Sequence, residues 1–355
     1  MSEVVVRPVA VGDLDQLVEL AGLTGFGLTT LPKDRDLLGN AILESQFSFE
    51  RMSRRPAGET YLLVLEDLAT KRVVGTSRIV SKVGGFEPFY GYRIETAVHE
   101  SEVLKVRKEV PYLKLVTEHN GPCEVGSLFL SPEYRRDGNG RLLSLARFLF
   151  MAEHPQRFDP VVIAEMRGVI DEEGHSPFWD ALGRHFFDMD FPTADYLSMV
   201  NKKFIADLMP THPIYIPLLP QAAREVIGKV HPQTEPALHM LESEGFKFCQ
   251  MIDIFDAGPA ITCKRDEVRT IKQSKKLAVE EIAEVEPEGE VYLVSTTKTP
   301  FRATRARVET TVGGVRLSAS TAEALNVKAG DYVRFAPMCA GTDQRLAPQR
   351  EGINP

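Results

Sequence analysis

The chain has 355 residues, beyond the ~250–300 at which one hydrophobic core usually stops growing, so two domains are expected rather than one. Its 43% hydrophobic and 26% charged residues are ordinary for a globular protein, and 42 Lys+Arg against 50 Asp+Glu give a net charge of −8. That balance excludes a general nucleic-acid binder with its basic domain. No apolar run reaches the ~20 residues of a membrane span, and the start lacks the basic and long apolar regions of a signal peptide. Cys123, Cys249, Cys263 and Cys339 show no zinc-type spacing, so reduced thiols, no metal and a cytoplasmic compartment are expected.

Val4 to Val9 reads as a strand, followed by the amphipathic helix DLDQLVELAGL. A Gly/Thr-rich loop (Thr24 to Asp34) precedes a second helix from about Arg35 to Arg54. TYLLVLED and RVVGTSRIVSKVG, joined at Ala69-Thr70-Lys71, read as an antiparallel hairpin. The apolar spacing of Glu102 to Glu118 fits a helix or a strand equally. Glu124 to Leu130 is a strand leading into SPEYRRDGNGRLL, with a helix from Gly140 to about Glu153. Pro160 to Arg167 reads as a buried strand, SPFWDALGRHFF as a helix, and proline-bearing Ala194 to Pro220 as irregular. Glu235 to Glu244 is a short helix closed by Gly245, and Phe246 to Phe255 a strand. Charged composition then predicts a linker over 275–288 after a main domain of 1–274. The β-type runs VYLVSTTK, RATRARVE, VRLSAS and KAGDYVRFAPM make a small β-rich domain of 289–345, and 346–355 a loose tail.

The segment after Leu130 carries chemistry. Gly138 and Gly140 allow close backbone approach, a helix start exposes N–H groups, and Arg135, Arg136 and Arg141 add cationic forks suited to phosphate. A Walker loop would need Gly-Lys-Ser/Thr, and a Rossmann turn a third glycine; GNGRLL has neither. The remaining form is the Arg-x-x-Gly-x-Gly loop of acyl-CoA-dependent N-acyltransferases, met here by Arg135, Gly138 and Gly140, with Asn139 between the glycines.

SLFLSPEYRRDGNGRLL resembles the fourth-strand and third-helix signature of the GNAT superfamily. The resemblance implies an α/β (α+β) fold with a mixed, mostly antiparallel sheet flanked by helices, here followed by the small C-terminal β-rich domain. LTGFGLTTLPKD, VVIAEMRGVIDEEGHSPFWDALGRHFFDMDF, FIADLMPTHPIYIPLL, IGKVHPQTEPALHMLESEGF and IDIFDAGPAI are more specific, and resemble bacterial arginine N-succinyltransferase. That likeness is strong over Val4 to Ser274 and weak over the tail. It implies succinyl-CoA as co-substrate and the α-amino group of L-arginine as acceptor, in arginine catabolism. It further implies that the backbone around Leu128 contacts succinyl-CoA and that His231 is the proton donor. Ornithine or another acyl-CoA remains an alternative, as does a homo-oligomer or a paralogous partner subunit.

The residues themselves support parts of this. His231, at a Pro-punctuated turn, can gain or lose charge near neutrality. Glu124 is a second acid/base candidate, and strand alternation predicts that it shares a face with Leu128, four residues on. The backbone of Leu128, Phe129 and Leu130 offers an edge for pantetheine. Glu165 and Arg167 are expected to face a notch beside that strand, with Asp253 and Asp256 as guanidinium partners; structural ion pairs are the competing role for all four. The Thr24 to Pro32 loop has hydroxyls that could hold a carboxylate.

Overall fold

The computed structural model describes residues 3–25, 27–28, 31–85, 87–285 and 290–338. Strand β1 (Val4–Pro8) leads into α1 (Leu14–Gly22) and α2 (Arg35–Glu50). Asp34 caps α2 by accepting the Asp36 and Leu37 N–H groups, satisfying donors that the helix start leaves open. Leu17, Leu20, Leu38 and Ile42 bury against Leu62 and Val64 of β2 (Thr60–Asp67), which turns at Lys71 (φ 60°) into β3 (Val73–Val80).

The ambiguous stretch resolves as strand. β4 (Phe89–Ser101) and β5 (Val106–Glu118) pair along their whole length, from Phe89↔Glu118 to Ser101↔Val106. Pro111 fits in β5 because that strand is outermost but for a two-residue pairing with β8 (Ile214–Tyr215). β6 (Cys123–Leu130) is followed by α3 (Asn139–Glu153) and β7 (Val161–Glu165).

The helix expected over SPFWDALGRHFF is two short ones, α4 (Pro177–Ala181) and α5 (Arg184–Phe187), divided where Gly183 lies flat on the Trp179 ring. The stretch expected to be irregular holds α6 (Phe191–Val200), α7 (Lys203–Leu208) and, just beyond it, α8 (Gln221–Val226). Prolines sit at helix starts here, where the missing N–H costs nothing: Pro192, just before the stretch, in the first turn of α6, and Pro220 at its end, capping α8. α9 (Glu235–Ser243) ends before Gly245 (φ 103°), and β9 (Lys247–Ile252) and β10 (Pro259–Lys264) follow.

Beyond α10 (Arg269–Gln273), residues expected as linker form β11 (Lys275–Ala283), which pairs antiparallel with β16 (Tyr332–Pro337) and parallel with β15 (Val315–Ser318). Its charges sit on exposed positions while Val279 is buried, so a charged composition coexists with a strand. Residues 286–289 of that stretch, Cys339 and the expected tail lie outside the described residues. β12 (Val291–Thr296), β13 (Ala303–Arg307), β14 (Glu309–Thr310) and α11 (Ala319–Leu325) complete the chain; α11 was not anticipated.

Among the described residues the strands join in the order β14-β15-β11-β16-β12-β13-β1-β2-β3-β6-β7-β10-β9-β4-β5-β8. Among these described strands only β6–β7 and β11–β15 pair in parallel. The fold is thus the mixed, mostly antiparallel sheet flanked by helices that the sequence led us to expect. α3 is buried along nearly its whole length, and the core around it takes in Val4, Val6 and Leu63 as well as Leu293, Ala303 and Ala336 from the β-rich tail.

Candidate active site

The site begins where two parallel strands part. β6 and β7 pair only at Cys123↔Val162 and Glu124↔Ile163. Beyond that point β6 stays with β3, and β7 stays with β10, where Glu165 pairs Ala260. The gap opens into a cleft of about 1790 Å³ walled by Glu124, Gly126, Leu128, Glu165 and Arg167 among others.

A bulge alters the face that each β6 residue presents. Thr76 pairs with Phe129 but Arg78 with Gly126, so β6 carries one extra residue, centred on Ser127 (φ 49°). Alternation therefore slips. Leu128 packs with the α3-side core beside Cys123, Val125 and Leu130, while Phe129 packs toward α1 and α2. Glu124 does not share a face with Leu128, contrary to the expectation from simple alternation. Leu128 has no ladder partner on β3, and its edge toward the departed β7 borders the cleft.

At the C-terminal end of β6 the Arg-x-x-Gly-x-Gly segment makes a left-handed turn into α3. Asp137 (φ 53°) and Gly138 (φ 75°) are successive left-handed residues, and Gly138 caps α3. Asn139 is buried; its side chain donates to the Tyr134 carbonyl (3.1 Å) and its N–H to the Arg136 carbonyl (3.0 Å), fixing the loop at a helix start. Arg135 donates Nε–H to the Leu130 carbonyl (3.0 Å) and lies over the Phe129 ring; Arg136 is exposed beside Asp137. Arg135, Arg136, Gly138, Asn139 and Gly140 all line the cleft. Arg141 does not: its guanidinium reaches the Met338 carbonyl (3.5 Å) at the end of β16, so the helix turns it away from the cleft.

The opposite wall is acidic. Glu165, Asp253 and Asp256 meet there, joined by Asp195 of α6. Burial, and then the neighbouring Asp253 and Glu124, push the Glu165 carboxyl well above the usual carboxylate range. Burial and Asp253 raise Asp195 to about 7. Asp253 is raised chiefly by burial although its Oδ1 accepts the Phe255 and Asp256 N–H groups (2.6 and 2.9 Å). Both Asp256 oxygens are occupied, accepting from Gly168 (2.7 Å) and Gly258 (2.8 Å). Asp256 is thus a clamp between the β7 exit and the β9–β10 turn, rather than the open guanidinium partner expected. Arg167 lies against Gly25 and Gly27 with its Nε buried and unpartnered, and burial lowers its pKa. The rest of that loop includes Phe26, Thr29 and Thr30, which lie outside the described residues.

His231 stands at the rim rather than on the cleft wall, although Gln233 and Thr234 line it. Its N–H donates to the Arg167 carbonyl (2.9 Å), and its Nδ1 accepts the Gln233 N–H (3.1 Å). Nδ1 therefore holds a lone pair, so the neutral ring carries its hydrogen on Nε2. Burial and Arg167 lower its pKa, favouring that neutral form.

Two wall residues escaped the sequence reading. Asp195 belongs to a face of α6 spaced at helical intervals, with Phe191, Ser198 and Met199 also on the wall and Lys202, the N-cap of α7, just beyond; recognising α6 would have found it. Arg78 lines the cleft from β3, where strand alternation alone gave no reason to single it out. Among the described residues one trio of potential metal ligands, Asp171, Glu173 and His175, is exposed on the turn after β7 and is no part of the cleft.

A parted parallel pair, a bulge at the parting and a left-handed turn at the strand's end match the acyl-CoA-dependent N-acyltransferase class that the motif led us to expect, and the family whose models match the chain makes the co-substrate CoA-linked. The sequence models described as arginine N-succinyltransferase beta subunit and its C-terminal domain match residues 4–270 and 275–337. The chain belongs to the arginine N-succinyltransferase family. It is 44% identical to arginine N-succinyltransferase of Yersinia pestis (strain Pestoides F), over 96% of this chain and 99% of that one. It is also 44% identical to that of Salmonella paratyphi B, over 95% and 98%. Among solved structures it matches arginine/ornithine succinyltransferase subunit AI from Pseudomonas aeruginosa at 37% identity, with a TM-score of 0.88 and coverage of 96% and 100%.

Proposed function

We propose that the enzyme moves the succinyl group from succinyl-CoA to the α-amino group of L-arginine by direct transfer, with no metal and no covalent enzyme intermediate. The observation that carries this reading is the division of one cleft into a cationic cradle, a bulged strand edge and an acidic wall. The cradle of Arg135, Arg136, Gly138, Asn139 and Gly140 suits the CoA phosphates. The edge at Leu128 to Leu130 suits the pantetheine amides, and the Leu128 backbone, which has no ladder partner on β3, suits the acyl oxygen, where charge develops on attack. Glu165, Asp195 and Asp253 suit a guanidinium. Such a cation would offset the burial that chiefly holds their pKa values up, and the repulsion from Asp253 that adds to it at Glu165 and Asp195.

In this reading Glu124, on the wall where the strands part, takes the proton that the α-ammonium loses before attack. The amine then forms the C–N bond, the C–S bond breaks, and the second amine proton passes to the departing sulfur to give CoA thiol. His231 presents Nε2–H and so acts as a donor toward the developing charge, reaching it directly or through one water. An acyl-CoA substrate is held in the cytoplasm, where we place the enzyme. The Pseudomonas aeruginosa relative is described as a subunit, which supports an assembly, either of like chains or with a paralogue; light scattering decides the mass. The name of that relative also favours ornithine as a second acceptor.

Thiol release from succinyl-CoA, with arginine and with ornithine, tests the assignment; no release above the amine-free control overturns it. His231→Ala is expected to lower kcat with little change in the KM for either substrate, and full turnover in that variant refutes the donor role alone.

A further inference from the structure

We propose that Arg78 receives the free carboxylate of the succinyl group and thereby sets the preference for a dicarboxylic acyl donor. This rests on the succinyl-transfer reading above and adds the residue that would select the acyl chain. A succinyl group differs from a simple acyl group by one carboxylate, and burying that charge beside the thioester requires a cation with free N–H donors. The cations of the cleft are nearly all engaged. Arg51 faces Glu59 (3.7 Å), Lys82 donates to Asn120, and Arg135 is held by the Leu130 carbonyl at the phosphate end. Arg147 is buried under the sheet and donates to Ser144 and to the Gly126 carbonyl. Arg167 and Lys202 stand with the acids of the opposite wall.

Arg78 differs. It lines the cleft from β3 and shares with Arg167 a buried Nε without a hydrogen-bond partner, but Arg167 lies in the field of Asp256 and Asp195, whereas among the described residues no carboxylate forms an ion pair with Arg78, Glu124 included. Its register partner across the sheet is Gly126, two residues past Glu124 and immediately before the bulged Ser127. Gly126 itself brings no side chain to that place, where the nearest atom to a Cβ would be the Glu124 carboxylate oxygen (3.3 Å), so the guanidinium looks onto the cleft beside the acid/base candidate. The guanidinium fork matches a carboxylate in geometry as well as charge. The two walls then divide the labour: acids for the cationic amino acid, and Arg78 for the anionic acyl chain.

The test compares wild type, Arg78→Ala, Arg78→Gln and Arg78→Lys with succinyl-CoA and with butyryl-CoA. Butyryl has the same four-carbon chain without the carboxylate. Arg78→Ala and Arg78→Gln are expected to lose roughly 100-fold in kcat/KM for succinyl-CoA, the loss typical of removing one partner of a desolvated charged pair. Turnover of butyryl-CoA and the Kd of free CoA, measured by calorimetry, are expected to hold. Arg78→Lys keeps a point charge and should recover about tenfold of the loss. If Arg78→Ala does not fold, the length-conserving Gln and Lys variants carry the same comparison. Equal losses on both donors, or a succinyl preference that survives in a folded variant, overturns the proposal. A wild type that prefers butyryl-CoA overturns the succinyl-transfer reading instead, so the two failures are distinguishable.

Discussion

Replacing Asp195 by asparagine tests the acidic wall most directly. Burial and Asp253 raise this carboxyl from 3.8 to about 7, against the opposing pull of the Gly27 N–H and Arg167. The empty enzyme is then roughly one-tenth ionised there at pH 6 and nine-tenths at pH 8. A guanidinium binds the ionised form better, so the KM for arginine should fall by about tenfold between those pH values. Asp195→Asn keeps the shape but cannot ionise, so this dependence should vanish. KM at pH 8 should rise by at least roughly tenfold, the contribution of one hydrogen bond to a charged group. Deprotonation of the acceptor amine also changes with pH, but it affects both enzymes equally and cancels in the comparison. Stability carries the opposite sign. A carboxyl whose pKa folding raises is fully stabilising only below its unfolded value, and that stability falls as pH rises from about 4 through 7. The loss is on the order of 4 kcal/mol at most, taking ~3 units at 1.36 kcal/mol each. Asp195→Asn should therefore gain in melting temperature relative to wild type between pH 5 and 8. A wild-type KM that is flat over pH 6–8, or the same slope in the variant, refutes the role given to Asp195.

Gly138→Ala should raise the KM for acyl-CoA with kcat little changed in steady-state kinetics, because a Cβ in the left-handed conformation costs roughly 1–2 kcal/mol where the cradle forms. Gly258→Ala would set a Cβ 2.0 Å from the Met166 carbonyl oxygen, breaking the clamp that Asp256 makes with Gly168. Urea denaturation should show a loss of about 3 kcal/mol or more, with arginine KM rising as Asp253 moves. Glu244 is fully buried, where it accepts from the Arg269 guanidinium and the Thr270 N–H (2.7 Å), joining α9 to α10. Glu244→Ala should cost roughly 3–5 kcal/mol in the same assay, since it strips a buried charge of its counterion.

What could be read from the sequence followed a physical rule. β2, β3, β6 and α3 were legible because burial on one face or on all sides leaves a periodic apolar pattern. The β4–β5 hairpin was not, because its far end is solvated: Val98, Val103, Leu104 and Val106 are exposed, and alternation no longer reports burial. α6 and α8 were hidden by prolines that mark helix starts as readily as loops, and α7 by its six-residue length. In the site, the cradle was legible because its backbone conformation demands glycine. Glu165 and Asp253 reach the wall as expected, but nothing in the sequence distinguishes them from Asp256, whose two oxygens are taken by backbone N–H groups. Arg141 was misplaced for a related reason. Proximity to a helix start does not fix which side of the helix a side chain leaves from.

The bulge at Ser127 connects these points. Without the extra residue, alternation would send Leu128 to the Glu124 side and Leu130 out of the core. With it, Leu128 and Leu130 both join the buried α3 side, and Glu124, Gly126 and Phe129 form the other face, opposite Val80, Arg78 and Thr76. The same insertion removes Leu128 from the β3 ladder just where β7 has left the other edge. A single left-handed residue thus gives the strand three properties together: an apolar anchor in the core, backbone without a ladder partner facing the cleft, and a polar face in register with Arg78. A side-chain pattern alone cannot record such an insertion, since EVGSLFL reads as a regular strand until its pairing with β3 is known.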